Sequence, residues 1–294
     1  MEIKEGFIDF EGYRTYYRIV GSDSCAKPPL LLLHGGPGST HNYFEVLDRI
    51  ADEDGRQLIM YDQTGCGNSY LDGHPERWNM QTWIDELKAI RQALGLKELH
   101  ILGQSWGGML LLEYVCRHRP EGIKSIILSS TLPSSQMWGL EQKRLIKELP
   151  GDMREAIAKA VDKNDFTGEE YLAATEEYML RHAAGKPDEN TPECIKREKL
   201  SGTESYIVGW GPNEYTPAGT LKDYDVTEAL RDIKEPALII SGGNDLCTPY
   251  IAKYMFDRIP DSRWELFRDC RHMCFAEDTE NYVSLLKEWM NAKD

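Results

Sequence analysis

Two hydrophobic textures alternate along the chain. Short apolar runs, PLLLLHG (29–35), RQLIMYDQ (56–63), ELHILGQS (98–105), KSIILSST (124–131) and PALIISGGND (236–245), are separated by longer amphipathic stretches. Continuous apolar runs of this length predict strands covered on both faces, as in a parallel sheet. In NMQTWIDELKAIRQALGL (79–96), Trp83, Leu87, Ile90 and Leu94 recur at helical spacing, and Gly95 follows as a stop signal. Strand and helix in alternation predict a doubly wound α/β sheet. The alternation lapses between Leu132 and Thr220, where EQKRLIKELP, REAIAKAVDK and GEEYLAATEEYMLRHAAG are helical in character. The expected organisation is a core segment (1–131), a helical insertion (132–220) and a second core segment (221–294). Ligands of open α/β sheets bind beyond the carboxyl ends of the strands, so an insertion rooted there covers the site as a cap.

The junction LHILGQSWGGMLLLEYVCRHRP (99–120) passes from strand to helix through Gly103-Gln104-Ser105-Trp106-Gly107. Gly-x-Ser-x-Gly at such a corner predicts a nucleophile elbow, in which Ser105 adopts a strained backbone and its hydroxyl is lifted clear of the sheet. The positions two before and two after must be small, because strand and helix nearly touch there. A bare glycine-rich packing corner is the competing reading. A serine hydroxyl needs a base, and in this motif class the partners follow in the order serine, acid, histidine. Of the seven histidines, only His182 and His272 lie well downstream of Ser105. His182 falls inside the helical insertion and is expected on an exposed face. His272 follows the strand-like RWELFRD and is expected to be the base. Asp245 ends the preceding strand and is expected to orient the imidazole and stabilise its charged form. Asp269 is nearer in sequence but is expected to pair with Arg268, Arg271 or solvent. The Trp106 amide at the helix start and the Gly36 amide in LLLLHGGPGST are the expected oxyanion donors, with the His34 ring bracing that loop. YDQTGCGNSY (61–70) lacks the third glycine of a dinucleotide fingerprint and the Gly-Lys-Ser/Thr of a P-loop, and is read as a tight loop bordering the pocket.

Bulk properties narrow the class. The 34 basic and 49 acidic residues give a formal net charge of −15, which disfavours nucleic acid as a partner. No stretch approaches a membrane span, and the N-terminus lacks the pattern of a signal peptide. Seven scattered cysteines without CxxC spacing fit a reduced, cytoplasmic protein. Cys270 and Cys274 flank His272, but no second Cys/His pair completes a metal site. No metal or organic cofactor is expected. A monomer or small homo-oligomer is expected.

HGGPG (34–38), DQTGCGNS (62–69), GQSWGG (103–108), GPNEY (211–215), the Asp245 strand end and the RHM histidine together strongly resemble the prolyl aminopeptidase family. These are α/β-hydrolase serine peptidases, also called proline iminopeptidases, related to tricorn-interacting aminopeptidase and amino-acid amidases. The likeness spans nearly the whole chain, and HGGPG followed by DQxGxGxS is far more specific than GxSxG. It implies an α/β-hydrolase fold with a helical cap. The activity implied is release of an N-terminal residue, proline or another small apolar one, from short peptides or amino-acid amides. In that family, acidic residues near the cap hold the substrate's free amino terminus, and Glu214 matches one such position. Some members carry a second glutamate directly after the catalytic aspartate, where this chain has Leu246. Amine recognition then rests on Glu214 alone or is shared with Glu204. Trp106, Trp138 and Trp210 are candidate walls for a proline ring. The alternative activity is an esterase or amidase with the same triad and no need for a free amine. A non-catalytic, hydrolase-like binding protein is the more distant one.

Overall fold

The computed structural model describes residues 1–294. Eight strands form one sheet: β1 (Ile3–Phe10), β2 (Tyr13–Val20), β3 (Leu30–Leu33), β4 (Leu58–Tyr61), β5 (Leu99–Gln104), β6 (Ile123–Ser129), β7 (Ala237–Gly242) and β8 (Ser262–Phe267). Their spatial order is β1-β2-β4-β3-β5-β6-β7-β8. β1, β2 and β4 pair antiparallel, and every pairing from β4 through β3 to β8 is parallel. The parallel strands β3 to β7 grow from the five apolar runs. The apolar runs do not predict the β1–β2 hairpin, which turns at Glu11 and Gly12 with φ of 49° and 84°. Positive φ at both central residues suits the right-handed twist of the flanking strands.

Alternate residues of the inner strands feed two separate cores. Leu31, Leu33, Ile59, Ile101, Ile126, Leu128 and Ile239 join one, while Leu30, Leu32, Leu58, Met60, Leu102, Ile127, Leu238 and Ile240 join the other. This period of two, with apolar residues on both faces, is why these runs carry no alternation. The helices are α1 (Arg49–Asp54), α2 (Met80–Ala93), α3 (Trp106–Glu113), α4 (Ser135–Ile146), α5 (Gly151–Lys163), α6 (Glu169–His182), α7 (Glu193–Lys196), α8 (Thr203–Gly209), α9 (Pro249–Phe256), α10 (Cys274–Glu277) and α11 (Thr279–Asn291). α2 starts where Asn79 accepts from the Thr82 N–H at 3.2 Å and is followed by Gly95 at φ 65°. Between β6 and β7 the chain forms α4 to α8 and adds no strand to the sheet. No helix is long and apolar enough to cross a membrane.

The β5–α3 corner explains its own glycines. A Cβ on Gly103 would lie 2.3 Å from the Gly107 carbonyl oxygen, and one on Gly107 would lie 2.0 Å from the Leu33 oxygen. A Cβ on Gly108 would meet the Thr131 side chain at 2.4 Å. Strand and helix therefore approach as closely as backbone allows, and Ser105 is wedged at the apex.

Candidate active site

Ser105 has φ 55° and ψ −121°, a region that side-chain-bearing residues rarely occupy. Its neighbours hold it there. The Ser105 N–H donates to the Ser129 carbonyl at 3.0 Å, and its own carbonyl accepts from the Thr131 hydroxyl at 2.6 Å and the Gly108 N–H at 2.9 Å. Strain of this kind persists where the surroundings over-determine the backbone.

Asp245 lies in the turn after β7 and is 1% exposed. One carboxylate oxygen accepts from the Ser130 hydroxyl at 2.6 Å and the Gly242 N–H at 3.0 Å. The other accepts from the Cys247 N–H at 2.8 Å and lies 2.6 Å from His272 Nδ1. Bonding to a carboxylate places the proton on Nδ1 and leaves Nε2 free to act as a base. Asp269 is exposed and makes no side-chain hydrogen bond, while the neighbouring Arg271 pairs with Glu277.

Ser105 and His272 line one cavity of about 390 Å³, together with Gly36, Gln104, Lys199, Tyr206, Glu214 and Leu246. This is near the small end of ligand pockets, which run from roughly 300 to 1,000 Å³. A larger cavity of about 1080 Å³ lies between α4, α5 and the 215–225 segment, and includes neither Ser105 nor His272. Chemistry therefore singles out the smaller one. Gly36 adopts φ 118°, and neither its N–H nor that of Trp106 is spent on a turn or cap hydrogen bond. The Trp106 indole instead donates to Gln63 at 2.7 Å.

Glu214 is the acidic side chain of the cavity. It accepts from the Tyr206 hydroxyl at 2.7 Å, and burial raises its pKa above the ordinary carboxylate range. Glu204 is not there. Its carboxylate accepts from the Gly73 N–H at 2.7 Å, so the expectation that it shares amine recognition is corrected. Trp138 and Trp210 also stand behind the cavity rather than on its wall. Trp138 donates to the Glu214 carbonyl at 2.7 Å and meets the His272 ring edge-on at 6.1 Å, and the Trp210 ring packs edge-on against it at 6.2 Å. The 61–70 loop does not border the cavity either.

His182 corrects another expectation. It is 7% exposed, and its Nδ1 lies 3.0 Å from the Asn244 carbonyl oxygen. The His272 N–H donates to the carbonyls of His182 and Ala183 at 3.1 and 3.2 Å, and the Arg271 guanidinium donates to the Leu180 carbonyl at 2.7 Å. The carboxyl end of α6 is thus capped by the loop that carries His272, and its last histidine touches the loop that carries Asp245.

Behind the cavity, His34 is fully buried. Its Nδ1–H donates to the Gly35 carbonyl at 2.8 Å, and its Nε2 accepts from the Gln63 N–H at 3.0 Å. Burial lowers its pKa to about 4, so the ring braces the loop in neutral form. Glu86 anchors the same region, accepting from the Thr15 hydroxyl at 2.6 Å and the Thr64 N–H at 2.9 Å. Burial raises its pKa to about 7 from an ordinary 4.5. The native state therefore holds this proton where the unfolded chain has lost it, and stability falls as pH rises from 4.5 to 7. Relative to the native chain, Glu86→Gln is expected to gain roughly 3 kcal/mol across that window. Urea denaturation of both chains between pH 4.5 and 8 measures the difference, and a pH-independent difference overturns it.

An alpha/beta hydrolase fold family model matches residues 28–279. A proline iminopeptidase of Clostridioides difficile is 56% identical over 294 residues, covering 100% of both chains. The chain belongs to the proline iminopeptidase family. A crystal structure of the Mycobacterium smegmatis proline iminopeptidase matches with a TM-score of 0.86 and 32% identity, covering 99% of this chain and 98% of that one. The crystal structure of VinJ matches with a TM-score of 0.90 and 31% identity, covering 99% of each chain. As a family member, the chain has Leu246 buried at the cavity wall directly after Asp245, its carbonyl accepting from Gln142 at 2.8 Å. Glu214 therefore has no second carboxylate beside Asp245 to help it.

Proposed function

We propose that this protein is a serine aminopeptidase that releases an N-terminal residue, proline or another small apolar one, from short peptides or amino-acid amides. The observation that carries this reading is the buried carboxylate of Glu214 in the same cavity as Ser105 and His272. An ester or acyl-amide substrate would leave that carboxylate unpaired, whereas a protonated α-amine compensates its burial.

The substrate ammonium pairs with Glu214. The Ser105 oxygen then attacks the first carbonyl carbon while His272 Nε2 takes the hydroxyl proton, and Asp245 stabilises the resulting imidazolium. The Gly36 and Trp106 N–H groups receive the oxyanion. Collapse of the tetrahedral intermediate breaks the C–N bond, and His272 gives its proton to the departing amine. Water, deprotonated by His272, attacks the acyl-enzyme, and His272 returns that proton to the Ser105 oxygen as the amino acid is released. Ser105 makes no hydrogen bond to His272 in this structure, and such contacts commonly tighten when substrate binds.

A panel of proline, alanine and phenylalanine arylamides, each with its N-acetylated control, tests the reading. Free-amine substrates are expected to exceed their acetylated counterparts by about 100-fold in kcat/KM, since blocking leaves a desolvated carboxylate unpaired. An alkaline limb near pH 7.7–8.0 is also expected, where the substrate ammonium loses its proton. Equal turnover of free and acetylated substrates selects the esterase reading instead.

A further inference from the structure

The catalytic cavity contains a second charge with no assigned task. Lys199 and Glu214 are the lysine and the carboxylate of its lining. The Lys199 ammonium lies 3.5 Å from the Ser39 hydroxyl and 5.5 Å from the centre of the Tyr43 ring. No carboxylate bonds to it, and Asp62 acts on it only through space. The residue is exposed, yet desolvation at its ammonium end lowers its pKa.

The backbone that carries this ammonium is held in place. The Gly67 N–H donates to the Leu200 carbonyl at 2.8 Å, and the Gly202 N–H donates to the Gly38 carbonyl at 2.8 Å. Two residues before Lys199, the Arg197 guanidinium grips both oxygens of Glu45 at 2.7 and 3.1 Å. The segment is thus fastened to Glu45 before the lysine and to the 36–39 and 62–69 loops after it.

The two charges lie against different walls. Glu214 is bonded to Tyr206 of α8 and packed against Trp138 of α4, within the helical insertion. Lys199 faces Ser39 and Tyr43, beyond the Gly36 loop. A peptide with its ammonium on Glu214 and its first carbonyl at Ser105 and Gly36 sends its leaving residue along residues 36–39, toward Lys199. We propose that Lys199 anchors the substrate's C-terminal carboxylate, so that the cavity selects dipeptides and similarly short zwitterionic peptides by reading both ends. The inference rests on the aminopeptidase reading above and adds a length and charge requirement to it. The small cavity volume agrees, as does a lining that contains no other lysine and no arginine.

The test compares release of proline from Pro-Ala with release from Pro-Ala-amide, which differs only in the terminal charge. The native protein is expected to favour the free acid by about tenfold in kcat/KM, a charge-assisted contact at a half-open site. Lys199→Met is expected to bring the ratio to about one, and Lys199→Arg to retain most of it. Because the ratio is taken within each variant, effects of the substitution on folding or on the chemical step cancel. Salt between about 0.05 and 1 M is expected to compress the native ratio and leave the Lys199→Met ratio unmoved. A native ratio near one, or a Lys199→Met ratio equal to the native, overturns the proposal. If proline arylamide is cleaved and its acetylated form is not, that failure leaves the aminopeptidase reading standing. Equal cleavage of both arylamides removes both readings.

Discussion

Ser105→Ala is expected to lower kcat by on the order of 10⁶-fold while leaving the melting temperature within a few degrees of the native value. The size follows from removing the atom that forms the acyl-enzyme, since losing the serine or the histidine of a Ser-His-Asp unit costs about as much as losing all three. The small effect on stability follows from the site: the Ser105 hydroxyl makes no hydrogen bond, and the bonds that hold the residue come from its backbone. Ser105→Gly sharpens the point. At φ 55° glycine is relieved of a conformation that costs side-chain-bearing residues about 1–3 kcal/mol, so this variant is expected to melt no lower than Ser105→Ala. Single-turnover assays with proline arylamide and calorimetry on the same samples provide the check. Residual activity within tenfold of native would remove Ser105 from the chemistry.

Glu214→Gln is expected to produce the second largest loss, about 10² to 10³-fold in kcat/KM for free-amine substrates. A desolvated ion pair deprived of one partner loses roughly 2–5 kcal/mol. N-acetylated substrates gain no contact from Glu214, so their already low turnover is expected to change little and the preference for a free amine to collapse. Folding should not suffer. Tyr206 can still donate to the amide oxygen, and replacing the carboxylate removes a buried charge whose pKa is already raised. If Glu214→Gln lowers free and acetylated substrates equally, the residue shapes the cavity and does not bind the amine. Leu246 makes this position decisive, because no neighbouring carboxylate can take over.

The inner sheet was legible because its strands are buried on both faces and so announce themselves as unbroken apolar runs. The β1–β2 hairpin was not, because half of it faces solvent and its signal lies in alternation around Glu11-Gly12. The elbow was readable because backbone crowding at Gly103 and Gly107 admits only glycine. Ser105, Asp245 and His272 could be nominated from chain order, and they line or support one cavity. Residues farther from a motif were harder. His182 was expected on a solvent face because helical spacing reports amphipathicity without saying which loops pack on the helix end. Glu204 shares the helical insertion with Glu214, yet its carboxylate is spent on backbone amides at 73–74. Trp138 and Trp210 support the site from behind, which hydrophobicity alone does not distinguish from lining it. Lys199 left no trace at all: one lysine in a polar tract acquires meaning only from the loops that hold it.

The capping of α6 by the Arg271–His272 loop joins two parts that are often treated as interchangeable modules. A graft that swapped the helices between β6 and β7 for those of a relative would also remove the carbonyls that seat the general base. Pocket shape and proton transfer therefore change together in this scaffold, and redesign of selectivity has to carry the 180–183 carbonyls and the 271–272 segment as one unit.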